Sequence, residues 1–442
     1  MAEIAPLTAL RYDLSRVDLG RVVAPPYDVI DAPQRASLEE RDPHNIVRLI
    51  LPAGDGDAKY ANAAGIFESW RKDGTLVRDD MPAFLRYDQT FLPPGAPSGA
   101  APITRRGFFA LVRLSPFSER VILPHERTLS GPKEDRLKLF RATRTNLSPG
   151  FMLYRDADDA LAPALAEAEP LAEFSTDDGV RHMVSKVRKP EAMRAIVRKI
   201  ADSSLLIADG HHRYETALRY SSEVDAAAPN ASARGRHRYF MAFLANGDDP
   251  NLVVFPTHRH LHSLASFDWD GALKGARDLF DVRPLADGAD APALLASLAD
   301  AGKGAPSLVA CASDGRAALL TLRGDVDLAK HATLAELHAE LRRTDVALLH
   351  SGLLEAVLGV TKEAQAQKTN LYYPQDAPRA LSELRGGKGQ ALFLMNATPV
   401  RDVRRVAEAG EVMPQKSTFF FPKIATGVAI HTLEHDVDVA SA

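Results

Sequence analysis

The segment 204–218 joins an apolar strand pattern, a glycine turn and a helix pattern, with polar side chains at the junction. Asp209 and Gly210 follow the apolar run. The first helical turn then carries hydrogen-bond donors, namely His211, His212 and Arg213. Such side chains are unusual there, because the positive end of the helix dipole favours acidic residues. A bound anion would satisfy the helix N-terminus and these donors together, so the pattern predicts a phosphate- or carboxylate-binding turn.

Asp209 stands beside this turn, where its carboxylate suits either Mg²⁺ or the hydroxyl group of a substrate. The same residues are also compatible with a purely structural role. Aspartate and glycine are common turn formers, and adjacent histidines also occur simply on protein surfaces. Adjacent histidines serve as zinc ligands too, but the segment has neither the HExxH spacing nor a cysteine partner.

The stretch 123–137 is a second dense group of polar residues. Its loop offers a histidine, a carboxylate and a hydroxyl, namely His125, Glu126 and Thr128. The helix predicted after Pro132 presents two cations one turn apart, Lys133 and Arg136. Phosphoryl transfer needs a base or metal ligand together with cations that hold the transferring group, and Glu126 is the candidate base. A solvated charged helix after a polar loop would have the same composition.

Two further segments are candidates for the same site. In 23–30, two adjacent prolines stiffen the backbone and would hold Tyr27 and Asp28 in place as substrate contacts. The segment 416–423 begins and ends with a lysine, Lys416 and Lys423, and these cations would neutralise phosphate charge. Asp28 is equally a turn residue, and the lysines equally belong to a solvated strand edge.

The amino-acid composition and net charge exclude some classes of function. The 442 residues are 45% hydrophobic and 25% charged, as in a folded globular protein of two or three domains. The net charge of −4 gives no overall attraction for nucleic acid or an anionic membrane, so we expect a small-molecule substrate. The single cysteine, Cys311, indicates a reducing compartment, and the predicted location is the cytoplasm. Neither a signal peptide nor a membrane-spanning segment is expected, and the oligomeric state is not determined by the sequence.

Helical and strand-like patterns alternate along the chain, which predicts an α/β or α+β protein. We expect a motif-bearing domain over 1–262 and a second α/β domain over 263–442, whose segment at about 396–430 returns to the site. The β-branched stretch 45–51 lies between prolines and is predicted to be a strand. Around the glycine turn, a helix at 190–201 precedes a strand at 205–208 and a helix at 211–223.

Four of these motifs together resemble the prokaryotic domain-of-unknown-function family ten-fifteen. The likeness is carried by APPYDVI at 24–30, HERT at 125–128, ADGHHRYET at 208–216 and KSTFFFPK at 416–423. The motifs span nearly the whole chain, and the family name implies no settled activity.

More remotely, the segment 207–213 is similar to the phosphate-binding box of the ParB/sulfiredoxin superfamily. That resemblance implies a mixed sheet with a strand–DGHHR–helix core. Sulfiredoxins have a catalytic cysteine directly after the glycine, where this chain has His211. Partition proteins carry a helix-turn-helix and basic surfaces, which this sequence does not indicate. The free-serine kinases are the members whose chemistry agrees best with an anion-binding turn.

The sequence therefore predicts a kinase-like phosphotransferase that phosphorylates a small hydroxyl metabolite, with serine as one candidate. It would use Mg²⁺ with ATP, ADP or pyrophosphate as donor. Two alternatives stay open. One is a nucleotide- or metabolite-binding regulatory protein that uses the same turn without catalysis. The other is a metal-dependent hydrolase built on His211, His212 and His125.

Overall fold

A computed structural model describes residues 1–96, 99–126 and 130–442 of the chain. The described chain divides into two compact units. The first unit comprises Met1–Pro124, Thr128–Val253 and Pro422–Ala442, and the second comprises His125–Arg127 and Val254–Phe421. The predicted domain division after residue 262 stays a prediction, because compact units need not be independently folding domains.

The strands are mostly short and occur in both units. In chain order they are β1 (Ile4–Ala5), β2 (Leu10–Tyr12), β3 (Leu76–Arg78), β4 (Phe84–Phe91), β5 (Ile103–Arg113), β6 (Ile122–Leu123), β7 (Thr145–Asn146), β8 (Gly150–Tyr154), β9 (Glu169–Ser175), β10 (Arg181–Val187), β11 (Leu205–Asp209), β12 (Tyr239–Asn246), β13 (Val253–Phe255), β14 (Arg259–Leu261), β15 (Phe280–Pro284), β16 (Ser307–Ala312), β17 (Ala317–Leu322), β18 (Leu371–Tyr372), β19 (Ala391–Met395), β20 (Phe419–Phe421) and β21 (His431–Thr432).

Helices alternate with these strands throughout the described chain. They are α1 (Leu19–Val22), α2 (Ala32–Arg41), α3 (Val47–Ile50), α4 (Ala58–Lys72), α5 (Ser130–Thr143), α6 (Ala162–Ala166), α7 (Pro190–Ala201), α8 (His211–Ala227), α9 (Trp269–Ala276), α10 (Ala291–Gly302), α11 (Ala339–Arg342), α12 (Asp345–Ala347), α13 (Lys362–Gln367), α14 (Ala377–Glu383) and α15 (Val400–Glu408). Short 3₁₀ turns are Tyr27–Val29, Phe117–Glu119 and Arg236–Arg238, and wider π-helical turns are Leu348–Glu355 and Leu384–Lys388. Within these described residues, no helix combines the length and apolar character needed to cross a membrane.

The first unit is built on a mixed sheet with the strand order β6-β11-β8-β12-β5-β4-β10-β9, and β1 pairs with β5. β11 runs parallel to β6 and antiparallel to β8, while β12 runs parallel to β8. Every residue of β12 is buried, as expected for a central strand covered on both faces. The predicted mixed sheet and mixed α/β class are therefore confirmed.

α8 follows β11 directly and packs against α5, which also packs against α4. Tyr214, Ala217 and Tyr220 on α8 belong to the hydrophobic core of the first unit. Their three-residue spacing places them on one face of the helix. This packing fixes the start of α8 at the end of β11, where the predicted anion-binding turn lies.

The C-terminal segment rejoins the first unit through backbone pairing. Thr426 forms an antiparallel bridge with Ala24, Ile430 bridges to Leu10, and β21 pairs with β7. The end of the chain is thereby fixed beside the proline-rich 23–30 segment. Lys423 consequently belongs to the same compact unit as Asp209.

The second unit contains a sheet with the strand order β15-β17-β16-β19-β14-β18. The described pairings in this sheet are antiparallel. α10 and α14 pack against it, and Leu294, Val309, Leu392 and Leu381 are part of the core between them. The second unit is thus also a helix-and-sheet structure, as the sequence predicts for a second α/β domain.

The strand predicted at 45–51 is wrong, because this stretch forms α3. Asn45 accepts a hydrogen bond from the Val47 N–H at 3.0 Å and donates from Nδ2 to the Arg21 and Val23 carbonyls. These bonds turn the backbone into a helix at that point. The β-branched residues reflect burial of the segment rather than strand pairing, since Val47, Leu49 and Ile50 are all buried.

A substitution at Gly107 tests how closely the strands of the mixed sheet pack. A Cβ atom there would lie 2.4 Å from the Leu244 carbonyl oxygen and from the Phe243 ring. Gly107→Ala should therefore lower the free energy of unfolding by about 1–3 kcal/mol or more, measured by urea denaturation. Gly65→Ala is the control, because Gly65 lies in α4 with no atom within 4 Å of the added Cβ. The control should be neutral or gain about 0.5–1 kcal/mol, and equal losses in both variants would contradict this packing.

Candidate functional site

The turn between β11 and α8 depends on Gly210. Its φ angle is +95°, a left-handed conformation that favours glycine. A Cβ atom at this position would also lie 3.1 Å from the guanidinium group of Arg213. The first turn of α8 has no acidic residue, and Gly210 supplies no side-chain cap. The turn thus combines the positive end of a long helix with a nearby arginine, the arrangement that the sequence predicts for binding an anion.

Arg213 is held in place by two contacts across the turn. Its side chain is buried, and Nη1 donates a hydrogen bond to the carbonyl of Pro149. Nη2 lies 3.4 Å from Oδ1 of Asp209. The Pro149 carbonyl accepts this hydrogen bond but has no net charge, so it does not neutralise the guanidinium group. Part of the positive charge of Arg213 therefore stays available to an anion.

Lys423 completes a three-residue charged group at this turn. Its Nζ donates to Oδ2 of Asp209 at 3.1 Å, and both side chains are about one-fifth exposed. The Asp209 carboxylate therefore faces a cation on each of its two oxygens. The structure brings together three of the predicted site residues: Asp209, Arg213 and Lys423.

The backbone around Lys423 is fixed by two buried residues that sequence reasoning missed. Gln89 Nε2 donates to the Lys423 carbonyl at 2.9 Å, and Arg105 Nη2 donates to the Pro422 carbonyl at 2.5 Å. Arg105 also donates to Oε1 of Gln89. Gln89 and Arg105 thus hold the segment from which the Lys423 side chain reaches Asp209, which makes them positioning residues.

Arg105 is a buried cation on β5. Its guanidinium lies 4.7 Å from the Phe151 ring centroid and 5.6 Å from that of Phe243. Burial lowers the pKa of Arg105 to about 9, which leaves it charged at neutral pH. In the sequence, Arg105 is one of two adjacent arginines at the start of an apolar strand pattern. Because successive side chains of a strand point to opposite faces, one of the two is expected to point into the protein.

Tyr27, Arg136 and Arg213 come from three separate predicted segments and line one small cavity of about 20 Å³. The Arg136 guanidinium lies 4.2 Å from the Tyr27 ring centroid, and its Nη1 donates to the Ile50 carbonyl at 2.6 Å. Burial raises the pKa of the Tyr27 phenol, and the charge of Asp28 adds to this. A cavity of this size holds about one water molecule. Tyr27, Arg136 and Arg213 therefore lie close together beside the β11–α8 turn. Asp28, in contrast, is exposed.

The other predicted residues of the first unit have different surroundings. Lys133 forms a salt bridge with Glu215 at 2.9 Å, which links α5 to α8. His211 is buried and His212 is half-buried in the first turn of α8. The charge of Lys133 is therefore already compensated within the protein.

His125, Glu126 and Lys416 lie in the second unit. Nε2 of His125 is 2.8 Å from Oγ1 of Thr418, and Oε1 of Glu126 accepts the Ser417 N–H at 3.1 Å. Burial and the charge of Lys416 both lower the pKa of Lys368. His125 and Glu126 thus contact Thr418 and Ser417 of the KSTFFFPK motif. Thr128 lies outside the described residues.

Asp209 is the residue that the sequence predicts to bind Mg²⁺. Within the part of the chain that the structure describes, no three His, Cys, Asp or Glu side chains are grouped to hold a metal ion. Asp209 faces two cations, whereas Mg²⁺ binds through several oxygen ligands. Asp209 in this arrangement does not fit a resident magnesium ion.

Comparison with known proteins identifies the family. Residues 4–347 match the family described as "Protein of unknown function (DUF1015)", and the chain belongs to it. No curated protein sequence matches the chain.

Several solved structures are similar over most of their length. A conserved hypothetical protein from Pyrococcus furiosus is 13% identical, with 74% of this chain and 95% of that chain covered at a TM-score of 0.36. A free serine kinase in complex with AMP is 12% identical, with coverage of 74% and 91% and a TM-score of 0.37. A variant of free serine kinase in complex with ADP is 11% identical, with coverage of 74% and 92% and a TM-score of 0.37. Likeness at this level assigns neither a ligand nor an activity to this chain.

Gly210 provides a test of the turn geometry. Gly210→Ala should lower the free energy of unfolding by about 1–2 kcal/mol for the left-handed backbone, and further because the new Cβ displaces Arg213. Gly179→Ala is the matched control, since Gly179 has a φ of +77° and no atom within 4 Å of an added Cβ. Urea denaturation should give the larger loss for Gly210→Ala, and a loss no greater than the control's would show that Arg213 is not fitted against this glycine.

Proposed function

We propose that this member of the DUF1015 family is a kinase-like phosphotransferase. It would bind the phosphates of a nucleotide or of pyrophosphate at the β11–α8 turn and transfer one phosphoryl group to a small hydroxyl compound. The observation that carries this proposal is the group formed by Lys423, Asp209 and Arg213 at the start of α8. It places two cations and one proton acceptor at a helix N-terminus.

Each of these groups has a role in phosphoryl transfer. The backbone N–H groups at the N-terminus of α8 and the guanidinium group of Arg213 would bind the phosphates that are not transferred. Lys423 would neutralise charge on the transferred group. The acceptor oxygen attacks the terminal phosphorus while its proton passes to the Asp209 carboxylate. The bond from phosphorus to the bridging oxygen breaks, and the leaving phosphate takes the electron pair.

Mg²⁺ would enter this reaction with the donor phosphates, as part of the substrate. The donor stays open between ATP, ADP and pyrophosphate. Serine is the first acceptor to test, because the DGHHR segment resembles that of the free-serine kinases. This choice rests on the sequence motif alone.

The remaining predicted residues have proposed roles that the same assay can separate. Tyr27 and Arg136 would support Arg213 from the small cavity that all three line. Glu126 is the other candidate base, with His125 beside it at 3.6 Å. Its role as a base stays a prediction, which Glu126→Gln tests in the same assay. Roles for Lys133 and Lys416 in phosphate binding, and for Asp28 and Thr128 in substrate binding, stay predictions.

Asp209→Asn tests the proposed chemistry. With Mg²⁺, serine and each of the three donors, the purified wild-type chain should transfer phosphate, and the variant should be slower by at least about a hundredfold because the amide cannot accept the proton. The unfolding midpoint of the variant measures whether the fold is retained. Asp202→Asn, at an exposed position just before β11, should leave the rate unchanged.

Three results would count against this proposal. An unchanged rate in Asp209→Asn would remove this residue from the reaction. Donor binding that is lost in Arg213→Met but kept in the exposed Arg219→Met, with no transfer to any acceptor, would favour the regulatory alternative. Absence of donor binding would contradict both functions.

A further inference from the structure

A cleft of about 500 Å³ opens in the first unit where two parallel strands end. Tyr154 at the end of β8 and Asn246 at the end of β12 are paired neighbours that line it, together with Arg106 on β5. The carboxyl ends of parallel strands are a common position for ligands, and this volume is typical of small-molecule sites. Asp209 pairs with Phe151 near the start of β8, so the cleft lies at the opposite end of this strand from the β11–α8 turn.

Hydrogen bonds tie together the two loops that border the cleft. The N–H of Asp156 donates to Oδ1 of Asn246 at 3.1 Å and to Oδ2 of Asp248 at 3.0 Å, and Nδ2 of Asn246 donates to the Asp156 carbonyl at 2.7 Å. The Asp156 carboxylate lies 2.8 Å from Nζ of Lys199 and accepts the Leu161 N–H at 3.0 Å. The charge of Asp156 is therefore compensated, and this residue shapes the cleft rather than binding a ligand.

Tyr154 is the buried polar side chain of the cleft. The residue is 2% exposed, and its ring centroid lies 6.1 Å from that of Phe108 in the core. Its hydroxyl has no hydrogen-bond partner among the described residues, yet it stays reachable from the cleft. Burial raises the pKa of this phenol, and the charges of Asp156, Asp159 and Asp249 raise it further. The cleft therefore offers a neutral hydroxyl group surrounded by negative charge.

Two carboxylates that line the cleft lack a salt bridge within the described part of the chain. They are Asp159, which is exposed, and Asp249, which is half-buried. Asp249 accepts the Asn251 N–H at 2.8 Å, and its charge also acts on the buried Arg105. The described acidic and histidine side chains are not grouped to hold a metal ion. An ammonium group needs only hydrogen-bond acceptors and an aromatic neighbour, and it fits these carboxylates beside Tyr154.

Arg106 brings the opposite charge to the same cleft. Its side chain is exposed, and it forms no salt bridge with a described residue. The neighbouring Arg86 is held differently, by Asp88 at 2.6 Å and by the Leu165 carbonyl at 3.1 Å. Because β12 lies between β5 and β8, the strands that carry Arg106 and Tyr154 are about 10 Å apart. An unpaired cation and unpaired carboxylates thus line one cleft without forming a salt bridge with each other.

We propose that this cleft binds a small zwitterion, a compound with one ammonium group and one carboxylate group. The ammonium group lies beside Tyr154, where Asp159 and Asp249 accept its hydrogen bonds, and the carboxylate group lies at Arg106. The carbon chain between them contacts Leu165, which also lines the cleft. A compound with one of the two charges leaves the opposite charge of the cleft unpaired, so it binds more weakly. This site does not depend on the proposed phosphotransferase activity.

Titration calorimetry of the full-length chain with γ-aminobutyrate and with L-alanine tests the site. Neither compound has a hydroxyl group, so neither serves as acceptor in the proposed phosphotransfer. At least one of them should bind saturably, whereas butyrate and butylamine, which each keep one of the two charged groups, should bind at least about tenfold more weakly. Tyr154→Phe should lower the affinity for the bound zwitterion about tenfold, equivalent to about 1.4 kcal/mol. Without ligand, this variant should keep the wild-type unfolding midpoint, because the hydroxyl has no partner within the described chain.

Arg106→Gln and Asp159→Asn should each lower the affinity at least about tenfold. Asparagine tolerates the left-handed backbone of Asp159, whose φ is +49°. The matched controls are Arg198→Gln and Asp158→Asn, at exposed positions that do not line the cleft, and they should keep the wild-type affinity. Failure of both zwitterions to bind, equal affinity for butyrate or butylamine, or unaltered affinity in Arg106→Gln or Tyr154→Phe would each overturn the proposal.

Discussion

The contact between Lys423 and Asp209 is the interaction on which the candidate site depends. The two residues are 214 positions apart in the chain, and the whole second unit except its first few residues is inserted between them. Their contact requires the chain to rejoin the first unit at Pro422. Backbone pairing of Thr426 and Ile430 supplies that return, and the bonds from Gln89 and Arg105 set the position of Lys423 itself.

Backbone carbonyls are a recurrent partner of the buried arginines in this protein. Arg105 donates to Pro422, Arg213 to Pro149, and Arg259 to Thr257. A carbonyl satisfies an N–H group and fixes its direction, but it does not cancel the positive charge. Part of the positive charge of Arg213 thereby stays available to an anion, which is the property that the proposed phosphate site uses.

Local patterns carried most of what could be predicted. The strand before Gly210 and the helix after it were predicted because apolar spacing and a glycine turn act over a few residues. The prediction for 45–51 was wrong because a buried helix and a buried strand can have the same apolar sequence pattern. The hydrogen bonds of the Asn45 side chain favour a helix at this point. The positioning roles of Gln89 and Arg105 were not predictable, since they depend on strand register and on the return of a distant segment.

The central claim is that the turn at Gly210 binds the phosphates of the donor. The most direct measurement is a crystal structure of the full-length chain grown with Mg²⁺ and ADP. The account predicts a phosphate group within hydrogen-bonding distance of the first backbone N–H groups of α8 and of Arg213, with the Lys423 ammonium turned towards it. Nucleotide bound elsewhere, with Lys423 still on Asp209 and no phosphate at the turn, would contradict it.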